Sequence, residues 1–282
     1  MMMTKGVVCG LFIGLVMGLI AVPASAQDAG SPLGVRIMSY GKYEEVAWTH
    51  LPSIGVHYIF LKVPAPDQVD AVMKRLKEHG LTPPVLRGET DLAKESSADE
   101  LGAQAAVCEK MGVKYMFLSA KRNGAEKAVV YERLRRAGEL AKRHNVTISL
   151  ETHPDLCTNG DVQLETMKAI DHPNVRVNFD TANITYYNQS ADALAELKKI
   201  IEYVATVELK DHSGEPEAWD FPVLGKGKTN FPGIVQLLKE RKFAGPVTIE
   251  FEGTKGVDLT EDQTKQAIAD SVAYVRTLGQ FK

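Results

Sequence analysis

Cysteine is scarce in this chain, and basic residues are not in excess. Only three cysteines occur among 282 residues. Cys9 lies close to the N-terminus, and Cys108 and Cys157 are the two cysteines in the rest of the chain. Nothing in their surroundings supports a disulfide, and the fold must therefore rest on its hydrophobic core. Lysine and arginine number 33 against 36 acidic residues. Proteins that bind duplex nucleic acid usually show a basic excess, so we expect no nucleic-acid partner.

Motifs of three common protein classes are also missing. The chain has no Gly-x-Ser-x-Gly sequence, which leaves a serine hydrolase without support. No glycine fingerprint follows the first predicted strand, which counts against an open dinucleotide-binding sheet. Gly227-Lys228-Thr229 resembles the end of a nucleotide P-loop, but Pro222 stands where the first glycine of that motif belongs.

The N-terminus predicts export. Lys5 precedes an apolar run that ends near Val22, and Ala24-Ser25-Ala26 follows. A charged start, an apolar centre and an Ala-x-Ala site are typical of a secretory signal peptide. A retained membrane anchor is the alternative, because the run approaches spanning length. We expect a periplasmic or secreted protein that does not contact the membrane after cleavage, with a signal peptide (1–26), a linker (27–33) and a folded domain (34–282).

Beyond the linker, strand and helix patterns alternate eight times without a break in composition. The first predicted strand is Val35–Tyr40, and the last is Pro246–Phe251. Capping-box patterns at Ser97–Glu100 and Thr260–Gln263 indicate the starts of two helices. Eight strand-helix units in one run predict a single (β/α)8 TIM barrel, with a doubly wound open sheet as the alternative.

Four predicted strands in the second half of the chain each carry an acid near their C-terminal end. Glu151, Asp180, Glu208 and Glu250 each alternate with apolar residues, near the end of a strand. If the apolar residues pack against the surrounding helices, all four acids point into the barrel. Barrel enzymes place their sites where strands end and loops begin. The pattern therefore predicts that the four carboxylates converge.

Converging carboxylates repel one another, and a divalent metal removes the conflict. Oxygen ligands favour hard ions, so Mn²⁺ is the expected metal and Mg²⁺ an alternative, while an imidazole ligand would admit Zn²⁺ or Co²⁺. The competing explanation is that each acid pairs with a base, such as Arg176, Lys210 or the lysines at 226 and 228. Matching acids on four strands favour the metal site.

Five motifs occur in an order that resembles the sugar isomerase and epimerase branch of the xylose isomerase-like TIM barrel family. The resemblance covers mainly residues 145–252. The motifs are Leu150-Glu151-Thr152-His153-Pro154, Asn178-Phe179-Asp180-Thr181-Ala182-Asn183, Val207-Glu208-Leu209-Lys210-Asp211, Leu224-Gly225-Lys226-Gly227 and Val247-Thr248-Ile249-Glu250.

The resemblance implies that Glu151, Asp180, Glu208 and Glu250 bind the metal. Position 208 is glutamate where the family usually has histidine, which favours an all-oxygen set of ligands, although His212 could supply an imidazole instead. The resemblance also implies a substrate-binding role for Asn183.

Two further residues are predicted to contact the substrate, because they share a strand face with the acids. His153 follows Glu151 by two residues, and Lys210 follows Glu208 by two. Side chains two residues apart on a strand point to the same side.

The predicted chemistry is removal of a proton beside a carbonyl group. A metal polarises the carbonyl, and Glu151 and Glu250 are expected to remove and return the proton through an enediolate. Return to the opposite face gives an epimer, and return to the neighbouring carbon gives an isomer. Expulsion of a leaving group from the same enediolate would make the protein a lyase.

We therefore expect a metal-dependent isomerase or epimerase. Export argues against sugar phosphates and favours a non-phosphorylated sugar or keto-sugar as the substrate. The alternatives are a keto-glycoside lyase or hydratase, and a non-catalytic carbohydrate-binding barrel. An abasic-site endonuclease of related fold would need a basic groove and more ligands than seven histidines readily supply. The sequence leaves the oligomeric state open.

Overall fold

The structure is a computed structural model that describes residues 30–279, 281 and 282. The predicted signal peptide, residues 1–26, lies outside the described residues, as do the first three residues of the linker. Across the part of the chain that the structure describes, no helix combines the length and the apolar character needed to cross a membrane.

Eight parallel strands close into a barrel whose strand order follows the chain. Closure comes from the last barrel strand, which pairs with both the first and the seventh strand. The predicted TIM barrel is confirmed. The barrel strands are β1 (Leu33–Arg36), β2 (Tyr58–Lys62), β3 (Leu86–Gly88), β4 (Tyr115–Leu118), β5 (Thr147–Glu151), β6 (Val175–Asp180), β7 (Val204–Leu209) and β9 (Val247–Ile249). Two short strands, β8 (Asp220–Phe221) and β10 (Gly253–Thr254), form a separate antiparallel ribbon.

Helices follow the strands and cover the outside of the barrel. In the described part of the chain they are α1 (Ala47–Ser53), α2 (Val69–His79), α3 (Ser97–Lys110), α4 (Lys127–Arg143), α5 (Gly160–Ile170), α6 (Thr181–Tyr187), α7 (Ala193–Ile200), α8 (Phe231–Glu240) and α9 (Glu261–Leu278).

One of the two predicted capping boxes is present. The Thr260 hydroxyl accepts the Gln263 amide at 3.3 Å, and the Gln263 side chain accepts the Thr260 amide at 2.9 Å. The box predicted at Ser97 is wrong, because Ser97 is already the first residue of α3. Ser96 precedes the helix, and its hydroxyl donates to the Glu100 carboxylate at 2.7 Å instead of capping the backbone.

β1 ends four residues earlier than predicted. It pairs with β2 only as far as Arg36, which lies opposite Phe60. A 3-10 helix, Ile37–Val46, follows directly, and Gly41 breaks its geometry with φ of 54°. A positive φ is a conformation that glycine adopts without steric cost. The early end of β1 places Arg36 at the mouth of the barrel, where the strands end.

The barrel interior has an apolar half and a polar half. Phe60, Val85 and Phe117, from the side of β2 to β4, form a small cluster separate from the main core between sheet and helices. On the other side the alternation of the strands brings polar residues inward, and Thr206 donates to the Asn178 side chain at 2.6 Å. The predicted acids belong to strands of the polar half.

Removal of an apolar side chain from the outer face of β5 should destabilise the barrel. Leu150 is fully buried in the main core. The Leu150→Ala variant should lose about 2–5 kcal/mol of unfolding free energy, because it loses contacts and leaves a cavity. Val129→Ala, at a position 43% exposed on α4, is the control and should stay within about 0.5 kcal/mol of the parent. Equal losses in denaturant titrations would contradict the placement of Leu150.

Candidate active site

The structure brings the four predicted acids together at the mouth of the barrel. Glu151 and Asp180 end β5 and β6, Glu208 lies near the end of β7, and Glu250 directly follows β9. Each offers a carboxylate oxygen within 4.8 Å of those of the other three. All four residues are buried, with at most 7% of their surface exposed. Strand parity and the barrel topology together produce this cluster.

Two buried cations lie against the four acids. The Arg36 Nη1 atom donates to both oxygens of Glu208 at 3.3 Å, and it also donates to Oε1 of Glu250. The Lys210 Nζ atom lies 3.1 Å from Oε2 of Glu250 and contacts a fifth acid, Glu252. The carboxylate cluster is therefore partly neutralised by the chain itself.

Arg176, one of the bases considered as a partner for the acids, lies elsewhere. It is the second residue of β6, at the opposite end of the strand from Asp180. Its guanidinium donates to the backbone carbonyls of His172 and Val175 at 2.8 and 2.9 Å. A cavity of about 460 Å³ adjoins Arg176 at that end of the barrel, away from the carboxylates. Arg176 therefore takes no part in neutralising the acids.

Asp180, Glu208 and Glu250 differ in their affinity for protons. Burial raises the pKa of Asp180 to about 7, although Lys210 acts in the opposite direction. Burial also raises the pKa of Glu208 well above its usual range, against the effect of Arg36. Burial opposes ionisation of Glu250 too, but Lys210 and Arg36 outweigh it and hold the pKa of Glu250 below its usual value. Protons in the cluster therefore favour Asp180 and Glu208 over Glu250.

The carboxylate cluster could hold a divalent metal ion. Oδ1 of Asp180 accepts the backbone amides of Ala182 and Asn183 at 2.9 and 3.0 Å and so caps α6. Oδ2 of Asp180 is buried and has no hydrogen-bond partner within the described chain. A buried polar atom without a partner calls for a ligand or a proton. Four carboxylates supply the hard oxygen donors that Mn²⁺ and Mg²⁺ prefer, so the residues fit such an ion.

Lys210 and Asn183, two of the three predicted substrate contacts, lie beside the carboxylates. Asn183 donates to the Thr152 carbonyl at 2.9 Å, and its side-chain oxygen accepts from Lys210 at 3.3 Å. His153 is half-buried, and its ring centre lies 5.0 Å from that of Tyr187. One nitrogen of His153 lies 2.6 Å from the Pro154 carbonyl oxygen, within its own loop.

His212, considered as an imidazole ligand, is engaged elsewhere. Its Nδ1 atom lies 3.1 Å from the Thr185 hydroxyl, and its Nε2 atom lies 2.8 Å from the Ala218 carbonyl oxygen. The group of possible metal ligands found in the described chain consists of carboxylates and does not include His212. The structure thus favours an all-oxygen set of ligands.

The backbone of residues 225–229, which includes the P-loop-like Gly227-Lys228-Thr229, surrounds a carboxylate. Asp211 accepts the backbone amides of Gly225, Gly227 and Thr229 at 2.9, 2.8 and 3.1 Å. A Cβ atom on Gly227 would lie 2.4 Å from Asp211 Oδ1, so no side chain fits there. The likeness of this segment to a nucleotide motif reflects backbone packed around Asp211.

Three residues of the site escaped the sequence prediction. Glu252 shares the strand alternation of Glu250 and could have been found from it. Arg36 was missed because β1 was extended too far. Tyr187 ends α6, a helix that gave no clear signal, and burial and the charge of Glu151 raise its pKa above the usual range.

Comparison with known proteins identifies the family. A profile of the xylose isomerase-like TIM barrels matches residues 43–278. The chain belongs to this family. A xylose isomerase domain protein from Planctomyces limnophilus is 20% identical over 88% of this chain and 97% of its own, with a TM-score of 0.73.

Two sugar epimerases share the fold of this xylose isomerase-like barrel. D-Psicose 3-epimerase from Clostridium cellulolyticum H10 is 14% identical over 88% of this chain and 99% of its own, with a TM-score of 0.70. 3-Keto-D-glucoside 4-epimerase from E. coli is 15% identical over 88% of this chain and 99% of its own, with a TM-score of 0.68.

A shorter match joins this member of the family to a lyase. 3-Dehydroshikimate dehydratase from Bacillus anthracis is 29% identical over 96 residues, which are 34% of this chain. The matched residues are also 34% of the length of that enzyme, so the chain matches only about a third of it.

Metal binding at the cluster should weaken in acid. With a pKa of about 7, Asp180 holds a proton below neutral pH and must release it to bind a cation. Displacement of one such proton should lower Mn²⁺ affinity about tenfold between pH 8 and pH 6. Calorimetric titrations in buffers of different ionisation enthalpy measure both the affinity and the proton released. A Mn²⁺ affinity that is constant between pH 8 and pH 6 would contradict the assignment of Asp180 as a metal ligand that must first release a proton.

Proposed function

We propose that this protein is a metal-dependent sugar isomerase or epimerase that removes a proton from the carbon beside a carbonyl group. The observation that carries the proposal is the buried cluster of four carboxylates at the barrel mouth, in which one Asp180 oxygen has no hydrogen-bond partner among the described residues. The sugar epimerases with the same fold support the choice of substrate class. Mn²⁺ is the proposed ion, on the hardness of the donors.

A divalent ion bound at the cluster would supply a Lewis acid that polarises the substrate carbonyl and acidifies the adjacent C–H bond. Glu151 and Glu250 are the proposed proton carriers. β5 and β9 are separated by β6 and β7 around the barrel, so the two carboxylates approach the centre from different directions. A sugar carbon bound at the cluster would meet the two carboxylates from different directions, as exchange of a proton between two faces requires.

The two proton carriers are held differently. Glu250 is tied to Arg36 and Lys210, which keep it ionised. No side-chain hydrogen bond joins Glu151 to another described residue, so one oxygen can hold the ion while the other takes a carbon-bound proton. We therefore assign the first proton removal to Glu151, which can return the same proton to the neighbouring carbon to give an isomer. Return of a proton to the opposite face requires that Glu250 has first taken up a proton from water.

The remaining predicted residues would hold the substrate. Lys210 can donate to a sugar oxygen, and the amide of Asn183 fixes the Lys210 ammonium in place at 3.3 Å. His153 and Tyr187 form a half-buried aromatic pair, which suits the apolar face of a sugar ring. With the predicted signal peptide, this chemistry points to a non-phosphorylated sugar or keto-sugar outside the cytoplasm.

A lyase reaction is the second candidate, and the match to a dehydratase favours it. The same proton removal by Glu151 would lead to elimination if the substrate carries a leaving group on the neighbouring carbon. Incubation with Mn²⁺ and a 3-keto-glucoside separates the two reactions. Release of the aglycone indicates a lyase, and a changed stereocentre with the glycoside intact indicates an epimerase.

Solvent exchange tests the proposed function directly. In heavy water with Mn²⁺, nuclear magnetic resonance should show deuterium entering a ketose or keto-glucoside at the carbon beside its carbonyl. At saturating Mn²⁺, Glu151→Gln should slow this exchange by about a thousandfold, because the amide cannot accept the proton. Glu165→Gln, at an exposed ion pair with Lys127, is the control and should exchange at the parent rate.

Two outcomes would contradict the proposal. Exchange that persists in Glu151→Gln would remove this residue from the chemistry. Absence of exchange into any ketose or keto-glucoside, with sugar affinity unchanged in Glu151→Gln, would instead indicate a non-catalytic carbohydrate-binding barrel.

A further inference from the structure

We propose that Arg36 and Glu208 form a built-in ion pair, so that the metal is held by Glu151, Asp180 and Glu250 while Glu208 serves as the counter-ion of Arg36. The inference rests on the proposed function where it concerns the metal. It divides four carboxylates that the sequence treats alike into three ligands and one partner of an arginine.

The contacts of Glu208 differ from those of the other acids. Both of its oxygens lie 3.3 Å from the same Arg36 nitrogen, and Glu208 is completely buried. Asp180, by contrast, keeps one oxygen without a hydrogen-bond partner in the described chain. Glu250 shares its oxygens between Arg36 and Lys210. Glu208 is thus the acid whose two oxygens face a single cation.

Arg36 is fixed in position by the apolar half of the barrel. Its guanidinium carbon lies 5.3 Å from the ring centre of Phe60 and 5.0 Å from that of Phe117. Aromatic faces attract a guanidinium, and the strand end allows it little freedom. Only 4% of Arg36 is exposed, so water cannot replace it as the partner of Glu208. The ion pair therefore belongs to the fold.

The contacts of the two cations lead to the same division of roles. Lys210 lies against Glu250 and Glu252, whereas Arg36 is the cation that both oxygens of Glu208 face. Removing one partner of a buried ion pair is strongly destabilising, whereas removing both charges is often nearly neutral. This difference makes the pair measurable without any metal or substrate.

A double-mutant cycle on metal-free protein tests the pair. Arg36→Met should lower the melting temperature by about 10 °C, because Glu208 loses its counter-ion and Glu250 loses one of its two cations. In the Glu208→Gln background the same change should lower it by less than half as much. Arg75→Met and Glu45→Gln form the control pair, since Arg75 also contacts a glutamate and an aromatic ring, but on the surface. Equal lowering of the melting temperature in both backgrounds would overturn the Arg36–Glu208 pair.

Mn²⁺ titration of the chelator-treated variants tests the assignment of ligands. Glu208→Gln should change the dissociation constant by less than about threefold, whereas Glu151→Gln should weaken binding at least about a hundredfold. Arg36→Met should tighten binding about tenfold, because it frees carboxylate oxygens for the ion. If Arg36→Met does not fold, Arg36→Lys replaces it, and an ammonium that reaches the acids less well should change affinity in the same direction.

Each result separates this inference from the proposed function. Loss of Mn²⁺ binding in Glu208→Gln, to the extent seen in Glu151→Gln, would make Glu208 a ligand and overturn the inference alone. Looser binding in Arg36→Met would also overturn it. If the parent protein binds no divalent ion, the metal-dependent function and the ligand assignment both fail, and the melting cycle still decides whether the pair exists.

Discussion

Mutual repulsion between buried carboxylates is the constraint on which this structure depends. Four acids offer oxygens within 4.8 Å of one another in a place that water barely reaches. Each pair of like charges at this distance costs free energy that the low polarity of the site increases. The chain offsets this repulsion with Arg36, Lys210 and the proton that Asp180 favours. A divalent ion would complete the neutralisation at the point where Asp180 has an oxygen to spare.

The two halves of the barrel interior explain how these cations are held. Arg36 lies on the boundary, with aromatic rings on one side and carboxylates on the other. Lys210 has a similar position, since its ammonium lies 4.2 Å from the ring centre of Phe221. Phe221 belongs to β8, so the short ribbon of β8 and β10 supports a residue of the site. Aromatic faces thus orient both cations toward the acids, and the cations reduce the repulsion between the buried carboxylates.

The sequence predicted the acids because their positions depend on local alternation and on strand ends. The two-residue alternation of a strand determines whether Glu151 and Asp180 point into the barrel. The eight repeated strand-helix units predict that the strands form a closed barrel. The place of Arg36 in the site could not be predicted, because it depends on where β1 ends. A 3-10 helix that no sequence pattern indicates ends this strand. Tyr187 and the ribbon depended on tertiary packing of short segments. The capping box at Ser97 failed because the helix begins one residue earlier than its pattern indicates, with Ser96 outside it.

The central claim is that the cluster at the barrel mouth binds one divalent ion. Anomalous diffraction from crystals grown with Mn²⁺ tests it most directly, because the signal locates the ion without any assumption about activity. A single strong peak is expected among the carboxylates of Glu151, Asp180 and Glu250. Crystals that show no anomalous peak at the cluster, with Arg36 and Lys210 alone neutralising the acids, would contradict it.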